Sequence, residues 1–173
     1  SYDICFVSDN NYHNFLEDNV PDLKDKYSGG NIVDKTGKVV GKHKGFPFYT
    51  IGQRKGLELA MGHPVYICNI DADANEILIG EKTDLISDSL TLENVNLQKY
   101  VELPDNIKAL VKIRYKDKGK EGTLIDLGNN QVRIEFKEGV SAVTPGQSAV
   151  FYEGNDLIGG GVIRKTNIKD DKS

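Results

Sequence analysis

Apolar and polar residues alternate with a period of two through the second half of the chain, as in half-buried β-strands. Short turns rich in glycine, asparagine and aspartate separate the alternating stretches. The predicted strands lie at about 90–97, 111–115, 122–127, 131–136, 148–152 and 157–163. Short strands at this spacing predict a small closed or nearly closed antiparallel β-barrel. The three glycines 159–161 indicate either a bulge or a close backbone contact.

The first half of the chain mixes one predicted helix with two predicted β-hairpins. The hairpins pair residues 32–34 with 39–41 and residues 65–71 with 76–80. The helix ends before Pro21 and places apolar residues on one side, namely Tyr12, Phe15, Leu16 and Val20. The fold class is therefore mainly β (α+β). A small mixed domain is predicted over residues 1–82, followed by a β-barrel domain over residues 83–173.

The triplet Ser28-Gly29-Gly30 has the composition of a phosphate-binding loop, but its surroundings do not suit that role. Such a loop follows a strand and opens a helix. Here a predicted β-hairpin follows the triplet, so a phosphate-binding loop is not expected.

Composition narrows the class of protein. The chain has 173 residues, 38% hydrophobic and 28% charged, which is ordinary for a soluble globular protein. Its apolar runs fall short of the roughly 20 residues that span a bilayer, so no membrane contact is expected. Two cysteines without a CxxC pair predict a cytoplasmic protein and no zinc site. The acidic turn 71–75 lacks the glycine and the final glutamate of a calcium loop, and no metal is predicted.

The segment 41–57, GKHKGFPFYTIGQRKGL, is an electropositive island in a chain of net charge −4. It contains four glycines, His43 and no acid, and its cations are Lys42, Lys44, Arg54 and Lys55. Cationic side chains beside a permissive backbone suit phosphate or carboxylate. The alternative is a tight surface turn with solvated lysines.

A second basic stretch, residues 108–120, holds six bases and one acid. Its alternation places Lys112, Arg114 and Lys116 on one strand face, with Tyr115 nearby. Such a face could follow a phosphate backbone while an arginine or tyrosine contacts an unpaired base. The alternative is an ordinary solvated strand face.

Three segments together resemble the tRNA 2-thiouridylases, bacterial enzymes that place sulfur on the wobble uridine of tRNA. They are DICFV at 3–7, GKHKGFPFYTIGQRKG at 41–56 and AVTPGQSAVFY at 142–152, in the family's order. The resemblance covers essentially the whole chain. Family members begin with an ATP-binding domain that carries an SGGxDS loop and a first catalytic cysteine. We therefore expect this chain to be the C-terminal part of a longer enzyme.

The resemblance implies an ATP-dependent sulfurtransferase. In such an enzyme the uridine C2 oxygen is adenylated, and sulfur from a cysteine persulfide displaces AMP. By position, Cys5 matches the cysteine that carries the persulfide, which in the family can form a disulfide with the first one. A cysteine desulfurase or a sulfur-relay protein would supply the sulfur. Because ATP belongs to the preceding domain, the chain alone is expected to be inactive.

The resemblance assigns tRNA contacts to Arg114, Tyr115 and Gln147. Charge adds Lys112 to these, and the electropositive island adds Arg54 and Lys55. Cys5 must act as a thiolate, and cations lower a thiol pKa whereas its neighbours Asp3 and Asp9 would raise it. We therefore expect the island to lie near Cys5. The alternative is a core cysteine between Ile4 and Phe6.

Two rival functions belong to other classes. The first is a non-catalytic β-barrel module that binds RNA or protein, in which Cys5 is structural. The second is a thiol redox protein that uses Cys5 and Cys68. Cys68 lies in the apolar run 65–70, which indicates a small buried hydrophobe.

Overall fold

The computed structural model describes residues 15, 19–20, 22–114 and 117–164. The chain divides into two compact units, the first ending at Leu85 and the second beginning at Ile86. The segment around Cys5 and most of the predicted helix before Pro21 lie outside the described residues. No helix in the described part of the chain is both long and apolar enough to cross a bilayer.

The first unit contains a four-stranded sheet in the order β2-β1-β4-β3. Strands β1 and β4 are parallel, and the other two neighbouring pairs are antiparallel. The elements are α1 (Leu23–Tyr27), β1 (Asn31–Val33), β2 (Val39–Lys42), β3 (Tyr66–Asp71), β4 (Glu76–Gly80) and two 3-10 turns, Phe46–Phe48 and Lys82–Leu85. Both predicted hairpins are therefore present.

Side chains at the turns explain why these hairpins form. In the β1–β2 turn, the Asp34 carboxylate accepts hydrogen bonds from Thr36, through both its N–H and its hydroxyl, and from the Lys38 N–H. These bonds hold the pKa of Asp34 below its usual value, with the Thr36 hydroxyl as the main cause. In the β3–β4 turn, Asn75 adopts a left-handed conformation with φ of 52°, which asparagine tolerates well.

The second unit is a closed barrel with the strand order β10-β5-β8-β7-β6-β9, and every pair is antiparallel. This confirms the barrel predicted from the period-two pattern. The strands are β5 (Ile86–Leu97), β6 (Ile107–Lys112), β7 (Lys120–Gly128), β8 (Gln131–Ser141), β9 (Ser148–Glu153) and β10 (Asp156–Ile163). Alternate residues fill its interior, among them Leu92, Leu124, Ile134 and Phe151.

The glycines at 159–161 produce the predicted bulge. The register shifts between Leu157 and Gly159 against β9, and between Gly160 and Val162 against β5. A Cβ atom at Gly159 would lie 2.5 Å from the Asn96 carbonyl oxygen, so a side chain there would force the strands apart.

The basic strand lies earlier in the chain than predicted. β6 begins at Ile107 and ends at Lys112, and beyond it the Asp117 N–H donates to the Arg114 carbonyl. Ile113 is buried and Arg114 exposed, so the alternation continues for two residues after the strand itself has ended. Of the cations predicted on this strand face, Lys112 lies in β6 and Arg114 lies just beyond its end. Tyr115 and Lys116 lie outside the described residues.

Candidate nucleic-acid interface

The segment 41–57 is hydrogen-bonded to the sheet through Gly52 and Gln53. The Gly52 N–H donates to the Ile67 carbonyl at 2.8 Å, and the Ile67 N–H donates to the Gln53 carbonyl at 3.0 Å. Gly52 has φ of 86°, a conformation in which a side chain would be strained. The loop therefore pairs with the outer edge of β3, and Ile67 itself is fully buried in the core of the unit.

The Gln53 side chain closes the loop on itself. Its Oε1 accepts the Thr50 N–H at 3.0 Å, and its Nε2 donates to the Lys55 carbonyl at 2.9 Å. The Gln53 N–H also donates to the Thr50 carbonyl at 3.0 Å. One amide group thus joins the two sides of the turn, and Arg54 lies between them at the exposed tip. Sequence reasoning assigned Gln53 no role, since such side-chain-to-backbone bonds leave no pattern in the sequence.

The four cations of the island differ in their surroundings. The Lys44 ammonium forms an ion pair with Glu58, and the Lys42 ammonium donates to the Asn31 side chain at 2.7 Å. Arg54 and Lys55 are exposed, and neither side chain has a hydrogen bond or ion pair to another described residue. The cations that remain open to an anionic ligand are therefore the pair at the tip of the Gln53 turn.

His43 is a structural residue, with 2% of its surface exposed. Its Nδ1 accepts the Gly45 N–H at 3.1 Å, so the ring proton is on Nε2, which donates to the Asn75 carbonyl at 3.1 Å. Burial lowers the pKa of His43, and the nearby Lys42 lowers it further, although the Asn75 bond opposes the shift. The imidazole is therefore neutral at pH 7 and adds nothing to the positive surface.

The Ser28-Gly29-Gly30 triplet closes around this histidine. The Gly29 N–H donates to the His43 carbonyl at 2.9 Å, and the His43 N–H donates to the Gly30 carbonyl at 3.0 Å. A Cβ atom at Gly30 would lie 2.1 Å from the Asn75 carbonyl oxygen and 2.3 Å from the imidazole Nε2. Glycine is therefore needed at position 30 for packing.

Arg114 binds the start of the loop 142–147, which joins β8 to β9. Its Nη2 donates to the Ala142 carbonyl and, at 3.4 Å, to the Ser141 carbonyl. The Thr144 hydroxyl donates to the same Ala142 oxygen at 3.2 Å. Ala142 has φ of 54°, so the chain turns sharply where the guanidinium meets it.

Gln147 lies at the end of the loop that Arg114 holds. The Gly146 N–H donates to the Ile163 carbonyl at 2.9 Å, and the Ile163 N–H donates to the Gln147 carbonyl at 2.7 Å. These bonds fix the Gln147 backbone, and its side chain is exposed. The structure thus brings Arg114 and Gln147, two of the residues named from the sequence, to one loop at one end of the barrel.

Lys112 contacts an aromatic ring that sequence reasoning missed. Its ammonium lies 5.5 Å from the centre of the Tyr152 ring, within the range of a cation–π interaction. Phe151 is buried and Tyr152 is half-buried, as expected for neighbours on a barrel strand. The alternation at Phe151-Tyr152 could have revealed the outward-facing ring.

Cys68 is only half-buried and lies at the register shift between Ile67 and Asn69 in β3. Burial raises the pKa of its thiol to about 11, and Asp84 contributes in the same direction. A thiol with so high a pKa is a poor nucleophile at neutral pH, which argues against the redox alternative. Cys5, its partner in that alternative, lies outside the described residues. The described residues contain no group of three His, Cys, Asp or Glu side chains able to hold a metal ion.

Comparison with known proteins agrees with this two-part architecture. Residues 13–81 match the family model described as the tRNA methyl transferase PRC-barrel domain. Residues 87–163 match the model described as the aminomethyltransferase beta-barrel domain. The matched ranges follow one another in the chain and together define the class as a PRC-barrel domain followed by a β-barrel domain.

Curated relatives narrow this class to one family. The chain is 44% identical over 172 residues to the tRNA-specific 2-thiouridylase MnmA of Cytophaga hutchinsonii, covering 99% of the chain and 46% of the relative. It is 46% identical over 165 residues to the Salinibacter ruber enzyme of that name, covering 95% of the chain and 43% of the relative. The chain belongs to the tRNA-specific 2-thiouridylase family, and it spans about half the length of the curated relatives it matches.

Proposed function

We propose that the chain is the tRNA-binding and sulfur-carrying part of a cytoplasmic tRNA-uridine 2-sulfurtransferase, which converts the wobble uridine to 2-thiouridine. The observation that carries the proposal is the Gln53 turn, which holds Arg54 and Lys55 in an ordered loop and leaves both side chains open. An ordered cationic tip loses little conformational entropy when it binds a phosphate, so it suits a polyanionic substrate.

The barrel offers a separate RNA-contacting surface in this proposal. Arg114 donates to the Ala142 loop through Nη2, and its other N–H groups make no hydrogen bond to described residues. A guanidinium has five donors, so it can hold the loop and a phosphate together. The exposed Gln147 amide both donates and accepts, as recognition of a base edge requires. Lys112 adds charge beside them, and Tyr115 is assigned a base contact.

In this proposal Cys5 carries the outer sulfur as a persulfide, loaded by a cysteine desulfurase or a sulfur-relay protein. That sulfur bonds to C2 of the uridine while the activated C2 oxygen leaves. A second cysteine then cleaves the S–S bond and forms a disulfide with Cys5, which balances the electrons. The pair at the loop tip would favour the Cys5 thiolate or bind the phosphate beside it.

Activation of the C2 oxygen by ATP supplies the leaving group in this family. The glycine-rich segment at Gly29 and Gly30 does not fit ATP, because its backbone bonds to His43 and Gly30 packs against His43 and Asn75. We therefore propose that ATP binds to a part of the full-length enzyme outside these 173 residues.

The test uses the full-length enzyme and measures the 2-thiouridine content of its tRNA. We expect Cys5→Ser to abolish thiolation while tRNA affinity stays close to that of the parent. The matched control is Cys68→Ser, which should retain thiolation. Thiolation at the parent level in Cys5→Ser would overturn the sulfur-carrier role. If that variant also binds tRNA like the parent, the chain serves instead as the non-catalytic RNA-binding module.

A further inference from the structure

An exposed apolar row crosses three strands on the outside of the barrel. Leu110 on β6 is in register with Tyr152 on β9, and Tyr152 is in register with Leu157 on β10. Leu110 is 39% exposed and Leu157 is 41% exposed. The Tyr152 ring is therefore flanked by two leucines on a face that the described residues leave open to solvent.

The charge around this row is favourable to an anion. Lys112 lies over the Tyr152 ring, and Lys108 is exposed two residues before Leu110 on the same outer face of β6. Glu121 lies beside Leu110, at the end of the row away from Leu157. The other nearby acids, Glu153 and Asp156, both pair with one ammonium group, that of Lys99.

The row is also continuous with the RNA site proposed above. Tyr152 and Gln147 are five residues apart along β9 and its preceding loop, or about 17 Å of extended chain. Arg114 follows Lys112 by two residues. A single strand of RNA bound at Arg114 and Gln147 can therefore reach Tyr152 within a few nucleotides.

We propose that Tyr152, with Lys112 above it, is a stacking platform for one unpaired base of the bound RNA. The base stacks on the Tyr152 ring between Leu110 and Leu157, and the Lys112 ammonium moves to the phosphate of the same nucleotide. Aromatic rings bind bases in this way with little sequence preference, and lysines along the groove track the backbone. The platform rests on the proposed tRNA-binding function and extends it to an additional residue.

The test measures binding of fluorescent oligouridylate of 12 nucleotides to the 173-residue chain by anisotropy, with a 12-base-pair RNA duplex as the second probe. We expect Tyr152→Leu to weaken oligouridylate binding about tenfold, because leucine keeps the apolar surface and loses the stacking ring. Tyr152→Phe should restore most of the affinity. The duplex, whose bases are already paired and stacked, should bind Tyr152→Leu and the parent alike. Leu127→Ala, another exposed apolar residue of the barrel, is the matched control and should bind as the parent does.

The outcomes separate the two proposals. If Tyr152→Leu binds oligouridylate like the parent while Arg114→Ala binds less tightly, the platform is overturned and the RNA-binding function stands. If the parent chain binds neither probe at low salt, both proposals are overturned. If Tyr152→Leu and Tyr152→Phe weaken both probes equally, the residue supports the barrel fold and the platform is again overturned.

Discussion

The Arg114 guanidinium donates a hydrogen bond to the Ala142 carbonyl, which joins the end of β6 to the loop that precedes β9. The bond spans 28 residues of sequence and satisfies the carbonyl of Ala142, whose φ of 54° lies in the left-handed region. Arg114, proposed above as an RNA contact, thus also supports the neighbouring loop. Its substitution should change both binding and loop order.

We predict that Arg114→Ala weakens tRNA binding and lowers its salt dependence. Loss of one phosphate contact should reduce the slope of log K against log salt by about 0.7–0.9. Anisotropy titrations with tRNA at several salt concentrations measure that slope. Lys137→Ala removes an exposed cation from β8 and is the matched control. An unchanged slope in Arg114→Ala would exclude this residue as a phosphate contact.

We predict that Gln53→Ala weakens RNA binding by about three- to tenfold through Arg54 and Lys55. Two side-chain hydrogen bonds are lost, each contributing about 0.5–1.5 kcal/mol to the order of the turn. The decisive measurement is a double-mutant cycle with the Arg54→Ala/Lys55→Ala variant. Gln53→Ala should have little further effect in that background, because the cations it positions are absent. Equal losses in both backgrounds would contradict a positioning role.

We predict that the first unit loses stability as the pH falls below about 6.5, the ordinary pKa of histidine. His43 has a lowered pKa when folded, so the unfolded chain binds its proton first. Stability is then full above pH 6.5 and falls on acidification, by at most about 1.4 kcal/mol per pH unit, until the folded pKa is reached. Chemical denaturation at pH 7.5, 6.5, 5.5 and 5.0 measures this change.

The matched variants for this prediction are His63→Gln and His43→Gln. His63 is exposed on the same unit, and its replacement should leave the acid loss intact. His43→Gln should remove the pH dependence in this window, at the cost of lower stability at every pH. Acid loss that persists in His43→Gln would assign the effect to another group.

We predict that Cys68 reacts slowly with iodoacetamide at pH 8. With its thiol pKa raised to about 11, only about one thousandth of the thiol is ionised at that pH. Its rate should increase about tenfold per pH unit up to pH 10. Cys5, assigned as the sulfur carrier, should take the label first, as peptide mass spectrometry after timed quenching will show. Faster labelling of Cys68 than of Cys5 would contradict both assignments.

The barrel was predictable from the sequence because each strand has one buried and one solvent-exposed face. Apolar and polar residues therefore alternate with a period of two. The β1–β2 turn was predictable because its determinants are local in the sequence. Asp34 accepts the Thr36 N–H, and Gly37 adopts a positive φ. The one-turn helix α1 was missed because five residues carry too little propensity to decide the conformation. The early end of β6 depends on Asp117, which bonds to the Ile113 N–H, a contact that alternation does not encode.

The candidate site was only partly predictable, because contacts between residues distant in sequence are not visible in composition. Composition identified the cations of the island, but it could not show which of them have partners elsewhere. Glu58 binds Lys44 from just beyond the segment, and Asn31 binds Lys42 from the neighbouring strand. Availability of a charge is a property of the folded chain. Only the structure separates the open pair at Arg54 and Lys55 from the other two.

The pairing of Gly52 and Gln53 with Ile67 has a consequence for the behaviour of the protein in concentrated solution. β3 is the last strand of its sheet, and an unpaired strand edge is a template for association with other chains. The loop that presents the cations also occupies this edge. Variants that loosen the loop would expose the edge and self-associate. The segment that carries the open cations thus also protects the sheet from aggregation.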